Sequence, residues 1–212
     1  FYSLTNSPNT PVTNTASAKQ RLFGLLGQVN LGYKDFVYLA LNARNDWSST
    51  LPTDSRTFFY PGANLSLVVS KLVDLSAAKI DYLKLRAAYG RTGRDASPYS
   101  LYSVLTAGNI ALGFGNLIFP LNSVPGFELA NQIGNNSLKP EITTETEFGV
   151  ELKALDSRIG VDISYYNKVS DGQIFPIQIA PSTGYTTQVA NFGKVRNRGI
   201  ELALNIVPIR SK

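Results

Sequence analysis

Cysteine, histidine and methionine are all missing from the 212-residue chain. Without cysteine there is no disulfide and no thiolate metal site. Without histidine the Ser-His and Cys-His nucleophile pairs and every zinc-histidine motif are excluded. Charge is scarce too: 17% of residues are Asp, Glu, Lys or Arg, against about a quarter in ordinary soluble domains. The net charge of +5 is scattered, with no basic run of the kind that tracks a phosphate backbone, so no nucleic-acid partner is expected. No apolar run reaches about 18 residues, and so no transmembrane helix is visible. A transmembrane β-barrel escapes that test, because its strands are short and half polar. The chain opens on Phe1 and has no signal-like segment, from which a processed or cut N-terminus is expected.

What the chain does have is alternation. In Phe23–Tyr33, Phe23, Leu25, Val29, Leu31 and Tyr33 share one face, and Gly24, Gln28, Asn30 and Gly32 the other. After a tight Lys34-Asp35 turn, Val37, Leu39, Leu41, Ala43 and Trp47 repeat the pattern against Tyr38, Asn42, Arg44 and Asp46. Period-2 patterning predicts strands with one greasy and one wet face. The same reading gives strands over roughly 21–33, 36–47, 58–70, 82–92, 142–154, 158–168 and 187–207, with loop over 1–20 and a short helical turn within 71–81. A long loop covers 93–140 and carries a hairpin within 99–114. Two architectures fit. In a soluble β-sandwich the apolar faces would meet in a core. In a transmembrane barrel they would face lipid. The length of the strands and the charges on their wet faces favour the barrel, since buried charges must be paired or cost several kcal/mol. So do the alternating short and long connections, and the aromatic residues near strand ends: Tyr33, Trp47, Phe59, Tyr60, Tyr82 and Tyr89.

The fold class expected is therefore all-β, an antiparallel transmembrane β-barrel segment. Seven strands are fewer than the smallest bacterial barrel, and odd in number, so the segment is expected to belong to a larger one. Alone it would leave two unpaired edges.

Five stretches in order carry a family resemblance: "RNDWSSTLP" with "FFYPGANLSLVVS", "IDYLKLRAAYGRTG", "NNSLKPEITTETEFGVELKALDSRIGVDISYYN" and "STGYTTQVANFGKVRNRGIELAL". Together they resemble the C-terminal part of the barrel of SusC/RagA-type TonB-dependent outer-membrane transporters of Bacteroidota, over about residues 21–207. Leu138-Lys139-Pro140-Glu141 and Asn191-Phe192-Gly193-Lys194-Val195 are among its most specific pieces. The resemblance implies a 22-stranded barrel around an N-terminal plug domain, a SusD-like surface lipoprotein as lid, and energy from the TonB complex. Import of oligosaccharides or peptides is the implied activity, with the plug and the TonB-contacting segment outside this chain. The alternatives are a TonB-dependent siderophore or cobalamin receptor, with a similar wall, and a soluble β-sandwich adhesin.

The residues divide by expected neighbour. Leu25, Leu39, Leu65, Leu85, Val150 and Leu202 are expected against lipid. Arg44, Asp46, Lys84, Arg86, Glu145, Glu147 and Glu151 are expected on a polar lumen wall. If the fourth and fifth strands are neighbours, Lys84 and Arg86 would pair with Glu147 or Glu151. Those charges either hold the plug and let hydrated substrate slide, or simply keep the wall solvated. Tyr99, Tyr102, Asn109, Phe114, Asn116 and Phe119 in the long loop offer stacking faces and amide hydrogen bonds; they would touch substrate, or pack the loop on itself or on the lid. Glu145 and Glu147 lack a partner that would split their pKa values, so no catalysis is expected. The surroundings of Asp95 lack the spaced oxygen ligands of a calcium loop, so neither metal nor cofactor is expected.

Overall fold

The computed structural model describes residues 17–209, so most of the loop expected over 1–20 lies outside the described residues. Four long strands come first: β1 (Leu22–Tyr33), β2 (Val37–Ser48), β3 (Thr57–Val68) and β4 (Ile80–Arg94). Five short ones follow in the long loop: β5 (Leu105–Ala107), β6 (Asn109–Leu112), β7 (Gly115–Ile118), β8 (Phe127–Leu129) and β9 (Gln132–Ile133). Then come β10 (Glu141–Ala154), β11 (Ile159–Asp171), β12 (Ile174–Gln178), β13 (Thr187–Asn191) and β14 (Lys194–Ile206). The seven long strands form one sheet in the order β1-β2-β3-β4-β10-β11-β14, antiparallel throughout. The short strands make three small sheets at one end. At the other end the connections are tight. Lys34 and Asp35 both take left-handed backbone angles (φ 46° and 56°), as a turn whose twist matches its strands requires. Between β3 and β4 lie two 3-10 turns, Val69–Lys71 and Ser76–Ala78. The Ser76 amide donates to the Asp74 carboxylate at 3.0 Å and holds that carboxyl below its ordinary range.

The register draws continuous rows through the sheet. One row reads Tyr33–Val37–Leu67–Leu85–Val150–Ile163–Leu202. The next, toward the loop end, reads Leu31–Leu39–Leu65–Ala87–Phe148–Tyr165–Ile200. The third, Val29–Leu41–Ala63–Tyr89–Thr146–Asn167–Arg198, starts apolar and ends polar. The apolar band therefore crosses the rows obliquely. Its loop-side border is aromatic: Phe23 and Trp47, with ring centroids 5.3 Å apart, then Phe59, Tyr89, Phe148 and Tyr165.

That obliquity measures the strand tilt. From Phe23 on β1 to Ile200 on β14 the border falls four rows across six strand spacings. At about 3.3 Å per residue and about 4.8 Å between strands, this is about 26 Å over about 29 Å, a tilt of about 40°. At the turn end the β10–β11 hairpin lies two rows beyond the β1–β2 hairpin across four spacings, which gives about 35°. Both values suit strands in a closed barrel. Phe23 to Tyr33 spans about 33 Å along the strand and, tilted, stands about 25 Å tall, the height of a lipid-facing band.

Among the described residues nothing is packed on this apolar face. Leu25 is 64% exposed and Leu202 67%; Leu65, Leu85 and Val150 are exposed and Leu39 is half-buried. The buried apolar cluster sits elsewhere, under the loops: Leu51, Phe58, Ala96, Leu138 and Val189, with Tyr60, Leu101 and Ile174 against it. A sandwich would have buried the strand faces against a second layer, and among the described residues no such layer exists.

Four local expectations change. The strand expected over 187–207 is two strands in different sheets, because Gly193 turns the chain at φ 86°. The segment read as loop after 169 continues β11 to Asp171 and then forms β12. Tyr60 and Tyr82 belong to the polar face: the Tyr60 hydroxyl donates to Asp46, and Lys153 Nζ stands 5.3 Å from the Tyr82 ring centroid. The hairpin in the long loop is β6–β7, placed slightly later than expected.

Candidate functional site

The polar face is built from long side chains lying flat over glycines of neighbouring strands. Arg86 on β4 crosses β10 at Gly149 and reaches β11. There its two terminal nitrogens donate to the Asp162 carboxylate at 2.9 and 2.6 Å, and one of them to Ser164 Oγ at 3.2 Å. A Cβ on Gly149 would stand 2.9 Å from the guanidinium, so any larger residue here pushes the arginine off its path. Asn42 lies over Gly62 in the same way, and Tyr166 over Gly199; an aromatic ring covering a strand glycine restores packing that the missing side chain gives up. Arg44 Nε donates to Asp46 at 2.7 Å beside Gly24, and Asp46 is buried. A two-pronged arginine–carboxylate pair is directional as well as charged, and so holds its geometry better than a lone lysine contact.

Glu151 gathers weaker contacts: Lys153 at 3.5 Å, Arg86 at 3.9 Å and Lys84 at 4.0 Å. Lys168 stands 4.0 Å from Glu145. Of the expected pairings, then, β4 and β10 are neighbours and both Lys84 and Arg86 approach Glu151. Glu147 has no ion-pair partner among the described residues. The principal partner of Arg86, Asp162, was not expected, because it lies 76 residues away on a strand that does not pair with β4. A cleft of about 540 Å³ runs along this face, lined among others by Asn42, Arg44, Tyr60, Glu145, Glu147 and Lys168.

At the loop end two distant segments are joined by one side chain. Asn191 accepts from the Lys139 amide at 2.8 Å and donates to the Lys139 and Gly172 carbonyls, both at 2.8 Å. Asn135 donates to the Val189 carbonyl at 3.0 Å, and Leu138 is fully buried beside them. Asp95 is a second knot, accepting from Thr50 at 2.9 Å, from Gln20 at 2.6 Å and from Ser48. Neither knot was foreseen as a contact.

The loop residues singled out in the sequence are dispersed. Asn109 and Asn116 lie on β6 and β7, and Phe114 is 93% exposed at the tip between them. Phe119 packs against Gly108 and Gly126 at the hairpin base. Tyr99 and Tyr102 stand apart, exposed on the stem, with the Tyr99 hydroxyl accepting from the Lys19 amide at 3.3 Å. Among the described residues no acidic group of three forms a metal site.

A single sheet with tilted strands, a bare apolar face ending in an aromatic border, a charge-paired opposite face and long loops at one end defines a segment of outer-membrane β-barrel. The family model described as TonB dependent receptor-like, beta-barrel matches residues 1–207, and the chain belongs to that family of outer-membrane proteins. TonB-dependent receptor P26 of Formosa agariphila is 27% identical over the whole chain and 21% of its own length. TonB-dependent receptor SusC of Bacteroides thetaiotaomicron is 25% identical over 92% of the chain and 19% of its own length. The chain thus spans about a fifth of these curated relatives. Among solved structures, the RagAB peptide importer in its closed-closed state superposes with TM-score 0.76 at 19% identity, over 90% of this chain and 20% of that one. The siderophore receptor PirA from Pseudomonas aeruginosa gives 0.57 at 18% identity, over 87% of this chain and 31% of that one.

Proposed function

We propose that the chain forms wall and extracellular loops of an outer-membrane importer of glycans or peptides, driven by the TonB complex through a plug domain and working with a SusD-like surface lipoprotein. The observation that carries this reading is a sheet one layer thick, greasy on one face and charge-paired on the other. Leu25, Leu39, Leu65, Leu85, Val150 and Leu202 then lie against acyl chains. Arg44, Asp46, Lys84, Arg86, Glu145, Glu147 and Glu151 line the path past the plug. The long loops face outward and the tight turns the periplasm, as in barrels of this kind. Tyr99, Tyr102, Asn109, Phe114, Asn116 and Phe119 meet the lipoprotein or the substrate. No step of catalysis is assigned to any residue. The similarity to SusC and the five shared motifs favour this reading over a siderophore receptor.

The test uses the full-length transporter in its native host, with residues 105–129 replaced by a short Gly-Ser link. The shortened protein should still run as a heat-modifiable barrel while losing the co-purifying lipoprotein and at least tenfold in growth on the transported nutrient. Undiminished import would remove the loops from the capture step. Import that persists in a strain lacking TonB would remove the energetic part of the reading.

A further inference from the structure

Above the apolar band, on the same face, the sheet turns abruptly basic. The row that starts at Arg91 continues Thr144–Val169–Arg196, and the row on its membrane side ends in Arg198. Lys194 lies one row further toward the loops, and Lys139 is exposed beside it on the stem of the long loop. Arg91, Lys139, Lys194, Arg196 and Arg198 are all exposed. Asp171 is the one carboxylate among them, 3.3 Å from Lys194. Arg196 Nε donates to the neutral Asn167 amide oxygen at 2.6 Å. Arg91, Lys139 and Arg198 make no ion pair with any described residue. Between β4, β10 and β11 this face also holds a cleft of about 370 Å³, lined by Arg91, Lys139, Thr144, Asp171, Asn191 and Lys194.

Two facts fix what such a surface would take. It is continuous with the apolar rows beneath it, Phe148–Tyr165–Ile200 and Val150–Ile163–Leu202, so a molecule seated here has hydrocarbon directly below. It also lies at the loop end, where the net charge of the patch is positive. Guanidinium groups at this height match phosphate in geometry and in sign. We propose that this rim is a binding site for the phosphorylated headgroup of an outer-leaflet glycolipid, whose acyl chains lie along β10, β11 and β14. The site is on the outside of the wall and separate from the polar face that the transport reading uses. It rests on that reading only for its orientation, loops outward.

Lipid carried through purification of the full-length protein in mild detergent tests it. Bound phosphorylated lipid A is quantified by mass spectrometry in the parent and in R91Q, R196Q and R198Q, singly and combined. Each arginine removed should lower retained lipid about fivefold, the usual contribution of one basic residue near an anionic lipid surface. D171N should raise it about twofold, a gain that misfolding cannot mimic. A control at the turn end, K79Q with R158Q, should retain the parental amount. Heat-modifiable mobility verifies that every variant is folded, and nutrient uptake by the triple variant should stay at the parental level. Equal retention in parent and folded triple variant overturns the proposal. Displacement by inorganic phosphate as effectively as by lipid A also overturns it, because the site would then be one for soluble anions. Loss of uptake in the parent would instead count against the transport reading and leave lipid retention as a separate result.

Discussion

At the scale of single residues, the polar face depends on glycine where a neighbour must cross. Arg86 reaches Asp162 across Gly149, which presents no side chain beneath the guanidinium. Gly149→Val should lift Arg86 off and leave Asp162 unpaired. Both groups are about one-third exposed, so solvent screens the pair and the expected loss is about 1–2 kcal/mol. The measurement is the unfolding midpoint of the full-length barrel in denaturant. In an Arg86→Ala, Asp162→Ala background the same substitution should cost markedly less, because the crossing is already gone. Equal costs in both backgrounds would mean that Gly149 serves the backbone and not the arginine. The pair was illegible in the sequence because its partners sit 76 residues apart on strands that do not touch. Period-2 alternation reports which face a side chain takes, and it is silent on which strand lies two places away.

At the scale of elements, the long strands were legible and the loops were not, for one physical reason. A strand with one apolar face writes its period locally, so β1, β2, β3, β4, β10 and β11 follow from consecutive residues. The fold of the loops is set by contacts between segments far apart in the chain. The alternation of Ile200, Leu202, Leu204 and Ile206 reads as one strand over 187–207, yet the left-handed Gly193 sends β13 to pair with β12 and β14 to pair with β11. The resemblance had marked Leu138-Lys139-Pro140-Glu141 and Asn191-Phe192-Gly193 as specific pieces, and the structure gives the physical reason: Asn191 holds Lys139 by both its amide and its carbonyl. Asn191→Ala removes three hydrogen bonds of about 1 kcal/mol each. Amides of 132–140 and 172–193 should then exchange at least tenfold faster with solvent, while those of β1–β4 keep their protection. Hydrogen exchange read by mass spectrometry separates the two zones. Unchanged exchange near Lys139 would assign the fastening to the buried Leu138 cluster instead.

At the scale of the whole molecule, the tilt read from the apolar border makes depth in the membrane differ from position in the sheet. Val29 and Asn167 occupy one hydrogen-bonded row, and in an upright sheet they would sit at one height. With strands tilted by about 35–45°, Val29 lies near the middle of the apolar band and Asn167 beyond its border, next to Arg198. A charge should feel that difference. Val29→Arg is expected to destabilise the barrel by about 2–4 kcal/mol, the cost of a cation near the bilayer midplane, and Asn167→Arg by about 0–1 kcal/mol, the cost near an interface. Reversible unfolding of the full-length protein in lipid vesicles measures both, and in detergent micelles, which impose no flat slab, the contrast should shrink. The two substitutions use one residue type in one row of one face; Asn167→Arg also gives up its hydrogen bond from Arg196 and faces Arg198, losses that oppose the expected contrast and so cannot create it. Equal penalties in vesicles would mean that the rows run parallel to the membrane. The aromatic border from Phe23 to Tyr165 would then have to follow local packing, such as Phe23 against Trp47, and not the boundary between lipid and water.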